Sequence, residues 1–293
     1  MKWTFLPTRT AAAVSSSAKS KTLGAAFAKY LQYKSHLGRE TLKDMKYIGQ
    51  RLFRNSPKMR SATFSAITPP VCESWLASTF PTSRQYNKGR IFLSGFFNFA
   101  IRNDWLLKNP IALVQPKRVV ETEIKPLSLS QIKSLLDAAE LPAHEECAAA
   151  LSIMLWAGIR PKEITRMKWG DIDLEESVIS VRPQNSKTGG ARHVEIYGPL
   201  SRRLKRIVRP SETPICPPDW SRKWKRLRDA AGFKGVWVND VLRHTFASYY
   251  MKHFKNIVKL QSEMGHYDLE LLRTRYVNMS GLTKAAAARF FKL

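Results

Sequence analysis

Asp240-Val241-Leu242-Arg243-His244-Thr245-Phe246-Ala247-Ser248-Tyr249 is the stretch on which the reading of this 293-residue chain turns. Leu242 and Phe246 stand four apart and predict a helix with one apolar side, which puts Arg243 in its first turn. Asp240, or Asn239, has the residue type of a helix N-cap. Further on, Met264-Gly265-His266 predicts a helix closed at Gly265, which lets His266 point away from it. Ten residues later comes Tyr276, in Arg273-Thr274-Arg275-Tyr276. Each has an ordinary reading when taken alone, the tyrosine as core or interface and the histidine as a cap.

Upstream, Ala157-Gly158-Ile159-Arg160-Pro161-Lys162-Glu163-Ile164 predicts a helix start at Arg160, because proline suits a first helical turn. An arginine there can join backbone N–H groups in holding a phosphate, or simply lie on the surface. Val178 to Val181 and His193 to Tyr197 are the clear strand signals. They flank the polar turn Asn185 to Arg192, with Lys187 at its tip. A lysine so placed is a proton donor, a phosphate contact or an exposed loop residue. Arg160, Lys187, Arg243, His266 and Tyr276 are together what metal-free phosphoryl transfer needs. Cations neutralise the phosphorane, a donor protonates the leaving oxygen, and a nucleophile holds the phosphate. The sequence contains no P-loop or two-metal motif.

The composition points the same way. Lys and Arg number 49 against 23 Asp and Glu, a formal net charge of +26. An excess of that size implies a polyanionic partner, nucleic acid first. The 44% hydrophobic content excludes a mostly disordered tail protein. Cys72, Cys147 and Cys216 are far apart and lack metal-ligand spacing, which implies a reducing compartment, no disulfide framework and no metal site. No apolar run approaches the roughly 20 residues of a membrane span.

Two domains are expected, both mainly helical, the second with a small antiparallel sheet. Residues 1–21 form a basic arm; the first 39 residues hold no Asp or Glu. An organelle transit peptide shares that composition. Residues 22–113 form a helical domain, with Phe92, Phe96, Phe99 and Ala100 on the apolar side of a helix over Ser83 to Asn103. The polar opening of that helix makes Ser83, Arg84, Lys88 and Arg90 candidate DNA contacts, or a solvated face. Residues 114–126 read as a linker. The second domain, 127–293, opens on Ser128 and Gln131, which have the form of a capping box. The basic runs 202–209 and 222–228 are candidates to track a DNA backbone.

The boxes around Arg160, Arg243 and Gly265-His266 resemble those of the tyrosine recombinase (phage integrase) family. Trp169-Gly170-Asp171-Ile172-Asp173 is similar to the start of its sheet, and Asn103 to Pro110 to the end of its core-binding domain. The resemblance covers nearly the whole chain. It implies a core-binding domain over 22–113 and a catalytic domain over 127–293. It further implies that Arg160 and Arg243 clamp the scissile phosphate while His266 hydrogen-bonds it. Lys187 would protonate the 5′ oxygen, and Tyr276 would form a 3′-phosphotyrosyl intermediate. No metal or nucleotide cofactor is then needed. The implied partners are duplex DNA attachment sites and three further copies of the chain, tetrameric on synapsed DNA and more weakly associated when free. The setting would be the cytoplasm, as part of a bacterial or phage-borne mobile element.

There are two departures. The family usually has histidine where Asp240 stands, so Asp240 is a helix cap or a proton acceptor for the tyrosine. The interval from His266 to Tyr276 is one residue longer than the commonest pattern. Two other readings stay open: a type IB topoisomerase, and a DNA-binding relative that has lost catalysis. The tail to Leu293 docks on a neighbouring subunit or on its own domain.

Overall fold

The computed structural model describes residues 21–120, 123–184, 190–265, 269–272, 278 and 281–293. The chain divides into two compact units with the boundary between residues 121 and 122. No helix among the described residues is long and apolar enough to cross a membrane.

The first unit is helical: α1 (Leu23–Tyr33), α2 (Arg39–Asn55), α3 (Pro69–Thr79) and α4 (Ser83–Arg102). Thr22 and Thr82 cap α1 and α4 by accepting the backbone N–H of Ala25 and Gln85. Phe92, Phe96, Phe99 and Ala100 are all buried, as the three-to-four spacing predicts. Their rings meet Phe27 and Tyr30 of α1 at centroid distances of 5.4–6.4 Å. Beyond α4 the chain stays close to it. Val114 is buried, and Asn87 both donates to and accepts from the backbone of Lys117.

The second unit is built around α6 (Ala148–Trp156), whose residues 149–156 are all buried. Apart from Ser152, itself buried, the helix is apolar all round and has no wet side, so neighbours must cover it completely. They are α5 (Leu129–Glu140), α7 (Gly198–Arg206) and α9 (Val241–Phe254). α5 opens with the expected reciprocal capping box of Ser128 and Gln131. The sheet is three-stranded and antiparallel, in the order β1 (Ile172–Asp173), β2 (Val178–Val181), β3 (Arg192–Glu195). Its alternation turns Ile179, Val181, Val194 and Arg192 inward. The fold is therefore mainly α with a small antiparallel sheet, as the sequence predicts.

α8 (Trp220–Ala230), α10 (Ile257–Met264) and α11 (Lys284–Phe290) complete the unit. α11 docks on its own unit. Phe290 is fully buried, its ring 4.4 Å from Tyr249, and its carbonyl accepts the Trp156 indole N–H at 3.1 Å. Truncating this side chain leaves a cavity at the junction of α6, α9 and α11. Phe290→Ala should therefore lower stability by about 3–5 kcal/mol in urea unfolding. A loss below about 1 kcal/mol would mean that α11 does not dock here.

Candidate active site

α9 carries the first component. Ten consecutive residues, Val241 to Tyr250, are buried, because α6, α10 and α11 pack on several sides of the helix. The sequence predicts one apolar face; the structure leaves no exposed face over this stretch. Arg243, 1% exposed, sends Nη1 to the Gly158 carbonyl and Nη2 to the Met264 carbonyl, both at 2.5 Å. A buried guanidinium needs such acceptors to offset its desolvation.

Gly158 makes the first contact possible. Its φ is +59°, and a Cβ there would lie 2.6 Å from the Phe246 ring. The chain turns at Gly158 and enters a single helical turn, Pro161–Ile164, with Arg160 at its N-cap position. Arg160 is half-buried. Its Nη1 meets Glu163 Oε1 at 3.0 Å, its Nη2 meets the Gly265 carbonyl at 3.1 Å, and its backbone N–H reaches Glu163 Oε2.

α10 ends at Met264, with Gly265 left-handed at φ +61° as its cap. The last carbonyls of a helix lack intrahelical donors. Here Glu263 accepts from Arg192 Nε at 2.7 Å, Met264 from Arg243 and Gly265 from Arg160. Three arginines from three separate segments thus converge on three successive carbonyls. Arg192 also grips both oxygens of Glu163, at 3.2 and 2.6 Å. Burial alone would push the Glu163 carboxyl up, yet the Arg192 hydrogen bond and the two guanidinium charges hold it below the ordinary range.

Asp240 occupies the N-cap position of α9, but in the left-handed conformation (φ 62°) and without a side-chain capping bond. The capping reading is corrected to that extent: the backbone starts the helix while the carboxylate leaves its N–H groups alone. Asp240 instead lines a cavity of about 150 Å³ with Arg243, Arg228 and Trp237. Lys187, His266 and Tyr276 lie outside the described residues. Asn278, two residues past Tyr276, donates its backbone N–H to Ser248 of α9 at 3.1 Å.

In the first unit Arg84 and Lys88 are exposed at the start of α4, and Ser83 and Arg90 are half-buried. Lys88 pairs with Asp44 at 3.0 Å, an exposed contact that is easily exchanged. The basic runs are only partly open. Arg203 bonds Glu140, Lys223 pairs with Glu146, and Arg228 lies over Trp224 and Trp237. Among the described residues, no three His, Cys, Asp or Glu side chains group as metal ligands would.

Residues 125–281, more than half of the chain, match the model of the phage integrase family. The chain belongs to that family. Curated relatives include the tyrosine recombinase XerA of Saccharolobus solfataricus, 27% identical over 52% of each chain. XerD of a Xanthomonas campestris strain is 27% identical over 60% of this chain and 62% of its own. XerC of Chlamydia muridarum is 21% identical over 78% of each. The chain thus spans between about half and three quarters of these relatives' lengths. Among solved structures, the Tn1549 transposon integrase in complex with transposon right end DNA superposes with a TM-score of 0.70. That match has 18% identity and covers 93% of this chain and 99% of the other. A lambda integrase tetramer bound to a Holliday junction gives 0.72 at 20% identity, covering 90% and 79%. At such identities the likeness is one of fold.

Around the integrase boxes the structure adds residues that the sequence reading missed. Arg192 was readable, since strand alternation puts it on the same inward face as Val194. Glu263 was not, because its burial depends on Tyr197, whose hydroxyl donates to it at 3.2 Å. Burial pushes the Glu263 carboxyl up to about 7, only partly countered by Lys259 and Tyr197, with Glu195 adding to the rise. The folded value then exceeds the unfolded one, so the folded protein binds the extra proton. The associated stability is complete below about pH 4.5 and lost as pH rises through 7. Wild type should lose up to about 2.5 kcal/mol more than Glu263→Gln between pH 5 and pH 8 in urea unfolding. Equal losses would disprove the shift.

Proposed function

We propose that this integrase-family chain is a site-specific DNA recombinase that cleaves and rejoins duplex DNA through a 3′-phosphotyrosyl intermediate. The observation that carries the reading is the convergence of Arg160 and Arg243 on the Met264 and Gly265 carbonyls, immediately before His266. Neutral carbonyls orient both guanidinium groups while cancelling little of their charge, and Glu163, which pairs with Arg160, is shared with Arg192, so the cluster suits a phosphate in which negative charge builds up. Arg160 and Arg243 clamp the two non-bridging oxygens, and His266 donates a hydrogen bond to one of them. The Tyr276 oxygen attacks phosphorus and the P–O5′ bond breaks. Lys187 protonates the departing 5′ oxygen. Attack by the 5′ hydroxyl of another strand reverses the step and frees the tyrosine. Asp240 takes the tyrosine's proton, a role supported by its carboxylate making no capping bond and lining the cavity beside Arg243.

The partner is duplex DNA carrying an attachment site, with the net charge of +26 supplying sequence-independent attraction. Arg84, Lys88, Arg90 and Ser83 position the first unit on phosphates. Four copies synapse two sites, a copy number supported by the lambda integrase tetramer bound to a Holliday junction. The bacterial and phage relatives favour action on DNA in a bacterial cytoplasm.

A nicked suicide duplex bearing the attachment site, run on a denaturing gel, tests the reading. Wild type should give a covalent protein–DNA adduct and Tyr276→Phe none. Binding without an adduct in either would make the chain a DNA-binding relative. Efficient relaxation of a supercoiled plasmid lacking the site would make it topoisomerase-like. Asp240→Asn should bind equally well but form adduct roughly a hundredfold more slowly. An unchanged rate would remove Asp240 from the chemistry.

A further inference from the structure

Arg192 belongs to no catalytic box, yet its whole guanidinium is engaged beneath the site. Strand alternation turns it inward on β3, where it is 8% exposed. An apolar residue at that position would avoid the cost of burying a charge. Its guanidinium uses Nε on the Glu263 carbonyl at 2.7 Å, Nη1 on Glu163 Oε1 at 3.2 Å and Nη2 on Glu163 Oε2 at 2.6 Å. Glu163 Oε1 also takes Arg160 Nη1, and Oε2 takes the Arg160 backbone N–H. The Glu263 carbonyl directly precedes the carbonyls that hold Arg243 and Arg160. The turn is also fitted to this side chain, since a Cβ on Gly265 would lie 3.0 Å from Arg192 Cδ.

We propose that Arg192 is a positioning residue of the phosphate site: it braces Glu163 and the turn after α10, and through them fixes Arg160 and Arg243, without touching phosphate. This rests on the recombinase reading above. Lysine cannot replace it. A single ammonium keeps the charge beside Glu163 but cannot span both carboxylate oxygens and a carbonyl at once. Shifts of about 1 Å in a clamp are enough to slow chemistry by roughly a hundredfold.

The test is single-turnover adduct formation by full-length Arg192→Lys on the suicide duplex, beside DNA affinity. Cleavage should fall roughly 30–100-fold with affinity unchanged. The decisive arm uses a duplex with a methylphosphonate at the scissile position, whose missing negative charge removes the need for a precise guanidinium clamp. There the gap from wild type should shrink to within about fivefold. Glu163→Gln/Arg192→Gln, which removes both buried charges together, serves as the second variant should the lysine protein not fold. It should show the same slowing and the same rescue. Wild-type cleavage rates, or slowing that is equal on both duplexes, would overturn the proposal. No adduct from wild type would instead overturn the recombinase reading on which it stands.

Discussion

The carbonyls of Glu263, Met264 and Gly265 stand at the end of α10, where a helix runs short of its own donors, and three arginines supply them. A helix C-terminus carries partial negative charge, and buried carbonyls left unpaired would cost on the order of 1–3 kcal/mol each. Arg192, Arg243 and Arg160 remove that cost from three directions. The guanidinium groups need the carbonyls just as much. Arg243 in particular is almost wholly buried, and bulk water cannot solvate it. The two problems cancel only if β3, α9 and the turn after Gly158 all reach the end of α10 together. That requirement ties the sheet, the central helices and the glycine turn into one unit.

The type of acceptor decides what the site can do. Had carboxylates held all three arginines, the cluster would be a structural salt-bridge network with little appetite for an anion. Among the contacts described, Glu163 is the carboxylate shared by Arg160 and Arg192, and its charge is secured by both. Glu263 contributes its backbone to the arginines while its side chain turns to Tyr197 and favours the proton. Among the described residues the balance therefore stays positive, with Arg160 the least buried of the three arginines.

Much of this was legible in the sequence, and its limits have physical causes. Periodicity located α4 and α9 because their apolar spacing is local information, and Ser128 with Gln131 fixed the start of α5 for the same reason. The role of Gly265 was likewise readable, since it takes positive φ where a helix must end. What spacing could not reveal is which partner each arginine finds. Arg243 looks amphipathic in sequence but is sunk in a helix buried around that stretch, which only the packing of α6, α10 and α11 decides. Glu163 reads as an ordinary helix-start carboxylate until β3 delivers Arg192 from 29 residues away. Asp240 fits the sequence statistics of a cap, yet its left-handed backbone turns the side chain away from that duty.

That left-handed start has a consequence for α9 as a whole. α9 takes no side-chain bond from its cap residue, so its position rests on what its own residues hold. Thr245 accepts the backbone N–H of Leu127 and donates to the Val241 carbonyl, while the Tyr249 hydroxyl donates to the Leu127 carbonyl. Ser248 takes the backbone N–H of Asn278. One helix therefore fixes the start of the second unit and the chain just beyond Tyr276, and it carries Arg243 between them. Arg243, Thr245, Ser248 and Tyr249 stand along α9 at positions that packing buries, and each bonds main chain from a distant segment. Replacing any of them with an apolar residue of similar size would leave the helix just as buried. It would also leave a backbone group without a partner beside the site, so the cost would fall on how the neighbouring segments are held.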